Sequence, residues 1–496
     1  MKTKSLFLLP ALIAVFNLMP AGRVTAQTFT ILHRFTGSDG STPFASLILS
    51  GNTLYGTTPG GNGPRSGFST LFAVNTDGMG FTNLHSFKAS STNSLGAYTN
   101  NDGVDLESAL ILSGTTLYGT ALNGGSSGFG TVFAIGTDGT GFRTLHTFAG
   151  YPGDGANPEA GLILTGDTLY GTTVGGGNSE RGTVFAINTD GAGYRNLHSF
   201  TAGSSGYYTN NDGAYPETGL ILAGDTLYGT AFEGGSSGYG TVFAITTNGT
   251  GFTTLHSFTT TFGSDGYYGT NSDGAYPDAG LVLLGETLYG TAESGGSSGF
   301  GTVFAITTNG TGFTTLHSFT SPSGSDGYYD SGTNSDGAYP SAGLIISGNT
   351  LFGVTSEGGS SGEGTVFAVN TNGTGLTNLH SFGYEDGISP HGGLLLSGNT
   401  LYGTASDYFM DFRNGTVFSL SFRPQLRITP SGADVVLTWP TNFAGFDYTG
   451  YTLQSSTDLV SPAVWNTNSP VPVVVNGQNT VAAPISSTHR FYRLGR

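Results

Sequence analysis

Apolar residues along this chain come in short runs separated by turns. Gly161-Leu162-Ile163-Leu164 is a continuous apolar run, the mark of a short strand covered on both faces. Gly166-Asp167 then makes a tight turn into a second strand, Thr168-Leu169-Tyr170-Gly171-Thr172. A third strand is predicted over Gly182 to Ile187, and Asn188-Thr189-Asp190-Gly191 turns it into a fourth, Tyr194 to Phe200. Asn-Gly and Asp-Gly pairs supply the positive φ that tight hairpins require, so the unit reads as four antiparallel strands.

That unit recurs. Leu-Tyr-Gly-Thr begins at Leu54, Leu117, Leu169, Leu227, Leu288 and Leu401, with Leu-Phe-Gly-Val at Leu351. The seven copies are 63, 52, 58, 61, 63 and 50 residues apart. A Thr-Val-Phe string follows each copy, with Thr70-Leu71-Phe72 standing in for the first, and Leu-His-x-Phe also occurs seven times. Four-stranded units repeating at this spacing suggest propeller blades. The Gly inside each second strand is expected where a neighbouring blade approaches closely.

The order of strings at the two ends carries topology. The first Leu-His-x-Phe, within Phe29 to Phe35, precedes any first-strand run, and the seventh unit has none after Thr416 to Phe422. The N-terminal strand is therefore expected to complete the seventh blade and remove its open edge. The expected fold is all-β: a seven-bladed β-propeller over residues 27–422 closed by an N-terminal strand, then a small β-sandwich over 423–496.

Composition narrows the class further. With 84 Gly, 12% aromatic and only 9% charged residues, the chain is unlike a helical bundle or a coiled coil. Residues 1–26 read as a secretory signal peptide: Lys2 and Lys4, an apolar stretch from Leu6 to Met19, and a small-residue cleavage site at Val24-Thr25-Ala26. Losing Lys2, Lys4 and Arg23 with that segment takes the formal charge from −17 to −20. Such a field argues against nucleic acid, and no later stretch is long and apolar enough for a membrane span. The expected location is outside the cytoplasm of a bacterium: extracellular, at the cell surface or in the periplasm. The absence of Cys rules out disulfide staples, thiolate catalysis and a lipid-anchored cysteine.

The unit "GLILSGNTLYGTT…GG…GTVFAINTDGTGFTTLHSF" resembles the GloVer-type tandem repeat of secreted bacterial choice-of-anchor proteins, over about residues 28–422. The resemblance implies a repeat array with a variable C-terminal anchor and no agreed activity. The tail holds Trp439 and Trp465 and the alternation Val435, Leu437, Trp439, continued by Tyr451, Leu453 and Ser455. It resembles a fibronectin-III-like sandwich.

Length variation falls between the second and third strands and between blades, which places it on one face, the face expected to carry function. Seven His in the Leu-His-x-Phe strings (His33, His85, His146, His198, His256, His317 and His380) sit one per blade and cannot converge on one ion, so they read as packing between blades. The Asp-Gly turn leading into each blade supplies Asp39, Asp154, Asp212, Asp273, Asp336 and Asp386, with Asp102 in the second unit. These are either Asx-type turns or a ring of calcium ligands near the channel mouth, helped by Glu107, Glu159, Glu217 and Asp278. No cofactor other than calcium is expected.

The aromatic pairs Tyr207-Tyr208, Tyr267-Tyr268 and Tyr328-Tyr329 lie in three successive blade-to-blade loops, and Phe129, Tyr239 and Phe300 lie in other loops of that face. Rings beside acid and amide groups suit sugar stacking, although packing over their own loops is the alternative. Catalysis would have to sit where the repeat breaks, at Ser406 to Asn414, whose Asp407 and Asp411 are the candidate acid/base carboxylates; Glu233, Glu293 and Glu357 sit in equivalent loops. The sequence thus favours a non-catalytic binding protein for a glycan or a cell-surface protein. The alternatives are a carbohydrate-active hydrolase or lyase and a purely structural envelope protein.

Overall fold

The computed structural model describes residues 25–496 apart from 61–68, 89, 93–97, 205–208, 263–268, 325–331, 407–413, 458–463, 468–470, 486–489 and 496. Most of the segment read as a signal peptide thus lies outside the described residues. The chain forms two compact units, Phe29–Ser419 and one that includes Leu420–Arg496. Among the described residues every regular element is a strand, and no helix is long and apolar enough to cross a membrane.

The first unit is built from repeated four-stranded antiparallel sheets. The third sheet is representative, with strands Ile163–Thr165, Thr168–Thr173, Thr183–Asn188 and Arg195–Ser199 in sequential order. Five others repeat that order. The last is composite: Leu395–Ser397, Thr400–Ala405 and Thr416–Pro424 are completed by the N-terminal strand Thr25–Arg34. The amide of Phe35 donates to the Gly415 carbonyl at 3.0 Å, just past the end of that pairing. The expected clasp of N-terminal strand onto last repeat is therefore present.

Burial explains the strand pattern. In each second strand the Leu, aromatic, Gly and Thr of Leu-Tyr-Gly-Thr are all buried, because the sheets cover one another on both faces. Tyr170, Val184 and Phe200 of the third sheet pack with Leu220, Leu227 and Phe243 of the fourth. The same arrangement links the ends of the chain, where Leu54 and Phe72 of the first sheet pack with Leu32, Tyr402 and Val417. Fully burying each such side chain stabilises by about 1.5–3 kcal/mol.

The mid-strand Gly serves a different neighbour from the expected one. Gly171 lies directly opposite Phe185 in its own sheet. A Cβ there would sit 2.8 Å from Phe185 Cζ and from Leu162 Cδ2. The glycine makes room for its own sheet's aromatic ring, not for an adjacent blade, because cross-strand pairs stand closer than sheets do.

Polar joints accompany the apolar ones. The Thr after that Gly donates to a carbonyl just ahead of the next sheet: Thr57 to Ser108 (3.0 Å), Thr120 to Ala160 (3.1 Å), Thr172 to Thr218 (3.0 Å), Thr230 to Ala279 (3.3 Å) and Thr291 to Ala342 (3.4 Å). Thr404 of the last sheet donates to Ala45, ahead of the first, at 3.1 Å. In the sixth sheet Val354 stands at this position.

In the second unit, Arg427–Ser431, Asp434–Pro440, Gln478–Pro484 and Val473–Val475 form a sheet in that spatial order, and Thr452–Ser456 pairs with Phe491–Gly495. Its core gathers Leu437, Trp439, Leu453, Val481 and Ala483. Trp439 and Tyr448 are fully buried, and Arg493 lies over the Trp465 ring at 4.3 Å.

Candidate functional site

Each Leu-His-x-Phe histidine is paired with the aspartate of the Asp-Gly turn that follows it. The Nε2 to Oδ2 distances are 3.0 Å for His33–Asp39, 3.3 Å for His146–Asp154, 3.0 Å for His198–Asp212 and for His256–Asp273, and 3.1 Å for His317–Asp336 and for His380–Asp386. His85 and Asp102 stand farther apart, at 3.6 Å. The backbone amide three residues after the histidine donates to the same carboxylate, as Thr201 does to Asp212 at 3.0 Å. Burial pushes Asp39, Asp154, Asp212, Asp273 and Asp336 up, but the hydrogen bonds from histidine, threonine and amide groups outweigh it and hold them below the usual carboxylate range.

Six of the seven imidazoles also stack on a ring of the next sheet. Centroids are 3.6 Å apart for His33–Phe81, 4.2 Å for His85–Phe142, 3.9 Å for His146–Tyr194, 3.8 Å for His198–Phe252 and for His256–Phe313, and 4.1 Å for His380–Phe29. The residue corresponding to these rings beside His317 is Leu376. The histidines thus take the inter-sheet packing role expected of them. The aspartates, in contrast, point at histidines on the fourth strands and do not gather at a channel mouth: an imidazole and an amide offer each carboxylate more than a neighbouring anion could. Among the described residues no three carboxylate or imidazole groups stand close enough together to hold a metal ion.

Beyond each Asp-Gly turn the chain performs a second task. The residue before the following proline has positive φ in every repeat where the motif is complete: Thr42, Asn157, Tyr215, Tyr276, Tyr339 and Ser389, between 50° and 57°. Asp105 takes the same conformation at 59° in the second unit. Non-glycine residues rarely adopt this region. The conformation lets one residue clamp two loops. Tyr276 donates its amide to the Tyr239 carbonyl of the preceding sheet at 2.9 Å, and its own carbonyl accepts from the Glu293 amide at 3.0 Å. Tyr215 does the same between Arg181 and Phe232, and Tyr339 between Phe300 and Ser356.

These clamps display their side chains unevenly. On three consecutive repeats they carry tyrosine: the Arg181 guanidinium lies 5.1 Å from the Tyr215 ring centre, Tyr276 packs between Phe232 and Tyr239, and Tyr339 packs on Phe300. The repeats on either side carry Asn157 and Ser389. Sequence reading missed Tyr215, Tyr276 and Tyr339; aligning the repeats on the proline would have found them.

Two residues after each clamp comes the position occupied in turn by Phe44, Glu107, Glu159, Glu217, Asp278, Ser341 and His391. Here acids do converge. Burial pushes Glu107 and Glu159 up to about 8, with Glu159 and Asp105 adding to the first and Glu217 to the second. Burial, Glu293, Glu233 and Glu107 raise Glu217 to about 7. Asp278 is raised well above the usual carboxylate range by burial, then by Glu293, Glu217, Glu159 and Glu107. The fields of these acids thus reach across non-adjacent repeats. His391 and Phe44 adjoin each other on the remaining arc, with ring centres 5.0 Å apart.

Glu233 and Glu293 lie in equivalent loops, with Glu293 one residue earlier: its amide donates to the Tyr276 carbonyl, whereas that of Glu233 donates to the Ala214 carbonyl. The offset sets Glu293 beside Asp278. Tyr207, Tyr208, Tyr267, Tyr268, Tyr328 and Tyr329 lie outside the described residues, as do Asp407 and Asp411.

Comparison with known proteins agrees with the repeat reading. No curated protein sequence matches the chain. Among solved structures, an oligogalacturonate lyase from Vibrio parahaemolyticus is 8% identical, with a TM-score of 0.46, over 80% of this chain and 97% of that one. A putative 6-phosphogluconolactonase from Bacteroides uniformis is 13% identical, with a TM-score of 0.42, over 89% and 98%. A gluconolactonase from Xanthomonas campestris is 14% identical, with a TM-score of 0.34, over 62% and 82%. The Gloeobacter/Verrucomicrobia repeat matches three overlapping stretches, residues 14–210, 89–270 and 209–332. With its Leu-Tyr-Gly-Thr strands, His–Asp pairs and clamped loops repeating through that span, the chain belongs to the Gloeobacter/Verrucomicrobia repeat family.

Proposed function

We propose that this chain is an exported, non-catalytic binding protein: a seven-bladed propeller with a C-terminal fibronectin-III-like module, recognising a glycan on the face that carries the long loops. The observation that carries this reading is the asymmetry of one structural position. Glu107, Glu159, Glu217 and Asp278 occupy four consecutive repeats, while Phe44, Ser341 and His391 fill the same place in the others. The fold tolerates an uncharged residue there, so converging acids at a cost in burial need another reason. Carboxyls accept hydrogen bonds from sugar hydroxyls, and Tyr215, Tyr276 and Tyr239 flank them with half-buried aromatic surface.

A glycan panel read by calorimetry tests the proposal. Binding that is lost in Tyr276→Asn and Asp278→Asn, with no product formed, is the expected result. Asparagine is chosen at 276 because Asn157 holds the equivalent backbone conformation. Release of reducing ends abolished by Asp278→Asn or Glu293→Gln would favour the hydrolase or lyase, a reading supported by the nearness of those two carboxyls. Silence across the panel would leave a structural envelope protein. Calcium enters only through Asp39, Asp154, Asp212, Asp273, Asp336 and Asp386, each of which would have to exchange a histidine for the ion; equal melting with calcium and with chelator would remove it.

A further inference from the structure

One hairpin of the first unit departs from its copies, and a cavity opens where it does. It joins the third strand of the second sheet, Thr131–Gly136, to the fourth, Arg143–Thr147. Gly136 lies opposite Thr116 and Thr131 opposite Ala121, so the hairpin stands at the end of the sheet away from the clamped loops. A cavity of about 400 Å³ lies there, bordered by Thr115, Thr116, Gly136, Thr137, Asp138 and Arg143. That is room enough for a small ligand.

Two exchanges account for the cavity. The position of Gly136 holds Asn75, Asn188, Thr246, Thr307 and Asn370 in the first, third, fourth, fifth and sixth sheets. Those side chains fold back across the turn. A Cβ on Gly80, Gly193 or Gly375 would stand 3.0, 3.0 and 2.8 Å from the respective asparagine Nδ2, and one on Gly251 or Gly312 4.0 Å from the threonine Cγ2. At the corresponding Gly141 a Cβ would meet nothing within 4 Å. Thr115, likewise, stands where the other sheets have Asn52, Asp167, Asp225, Glu286, Asn349 and Asn399.

The same exchanges release hydroxyls. In the first hairpin Thr76 donates to the Asn52 side chain, and Thr53 donates to Asn75 Oδ1 at 3.3 Å. Thr137 and Thr116 are their counterparts, with Thr115 and Gly136 in place of the two asparagines. Among the described residues the hydroxyls of Thr115, Thr116 and Thr137 have no protein partner. Two charged groups complete the border. Asp138 Oδ1 accepts from the Thr140 amide at 2.9 Å and its hydroxyl at 2.8 Å, and a Cβ on Gly136 would stand 2.6 Å from that oxygen. Arg143 is tied to the third sheet's hairpin, donating to the Thr189 carbonyl at 2.9 Å, and keeps further N–H donors.

We propose that this cavity is a binding site for one neutral pyranose residue. Its border pairs one carboxylate with one guanidinium and so favours neither an anion nor a cation. The free threonine hydroxyls both donate and accept, as every hydroxyl of a sugar does, whereas an ammonium only donates and a carboxylate only accepts. The site lies away from the long-loop face and does not rest on the binding reading given for that face.

The test is saturation-transfer NMR on the full chain carrying Tyr276→Asn, which silences the long-loop face. The probes are glucose, galactose, mannose and xylose, with glycine as a zwitterion. At least one sugar should receive saturation. Adding Gly136→Asn, which installs the side chain of the first, third and sixth hairpins, should abolish the transfer with Tm unchanged. No transfer to any sugar, transfer to glycine alone, or transfer undiminished by Gly136→Asn overturns the site. Should the Gly136→Asn chain not fold, Arg143→Thr takes its place, since Thr82, Thr253, Thr314 and Thr377 occupy that position elsewhere. It must weaken the titrated affinity about tenfold, the loss of one charge-assisted hydrogen bond, and an unchanged affinity is equally fatal.

Discussion

The hydroxyl of Thr404 donates a hydrogen bond to the carbonyl of Ala45 at 3.1 Å, although 359 residues separate them in the chain. The same bond joins the first five sheets each to the next, so this one links the last sheet to the segment ahead of the first. It does not act alone: His33 on the N-terminal strand stacks on Phe81 of the first sheet, and His380 of the sixth stacks on Phe29.

Closure of this kind should be all-or-none. Removing residues 27–36 takes away Phe29, Leu32, His33 and Phe35 and exposes the edge of Thr416–Pro424. Calorimetry should then show a broad transition in place of a single cooperative one. The point variant Phe35→Ala, at a site 5% exposed, should cost about 3–5 kcal/mol while keeping the single transition. An unchanged melt of the deletion would show that the clasp is dispensable.

The joint between sixth and seventh sheets offers an internal comparison, because Val354 replaces the threonine. Thr172→Val should cost about 1–3 kcal/mol, since it leaves the Thr218 carbonyl buried without its donor. Val354→Thr should be close to neutral, gaining a hydroxyl aimed where its counterparts find a carbonyl. Chemical denaturation midpoints at constant m-value decide both.

At Gly171 space, not conformational freedom, sets the residue. Gly171→Ala places a methyl 2.8 Å from Phe185 and Leu162, and should cost about 1–3 kcal/mol by overpacking. Trimming the ring in Gly171→Ala/Phe185→Leu should make the two changes less than additive. Full additivity in a double-mutant cycle would contradict the contact.

Below neutral pH the His–Asp pairs should dominate stability. Burial depresses His33, His85 and His380 despite their aspartates, so unfolding takes up protons as the pH falls below the ordinary histidine value of 6.5. Asp39, Asp154, Asp212, Asp273 and Asp336 lie below the ordinary 3.8, and their contribution, present above that value, is lost as pH falls through their lowered range. Tm should therefore drop on acidification below about pH 6 and more steeply below pH 4. Asp212→Asn should lower Tm even at pH 7 by weakening the contacts to His198 and the Thr201 amide.

Local chemistry was written plainly in the sequence. Leu-Tyr-Gly-Thr, Thr-Val-Phe and the Asn-Gly and Asp-Gly turns specify strand and hairpin through nearest-neighbour sterics and burial, so element type and repeat number could be read residue by residue. The misplaced final Leu-His-x-Phe even betrayed the clasp. What tertiary structure alone decided was which side chains meet. His198 and Asp212 are 14 residues apart and chose each other because the turn folds back on the outer strand. Gly171 answers to Phe185 across one sheet and not to a neighbour. Glu107 and Asp278, 171 residues apart, feel each other's charge only because the packing of successive sheets brings their repeats near each other. Spacing along a chain encodes local hydrogen bonding; the curvature that brings distant carboxyls face to face is a sum over every inter-sheet contact, and no single motif contains it.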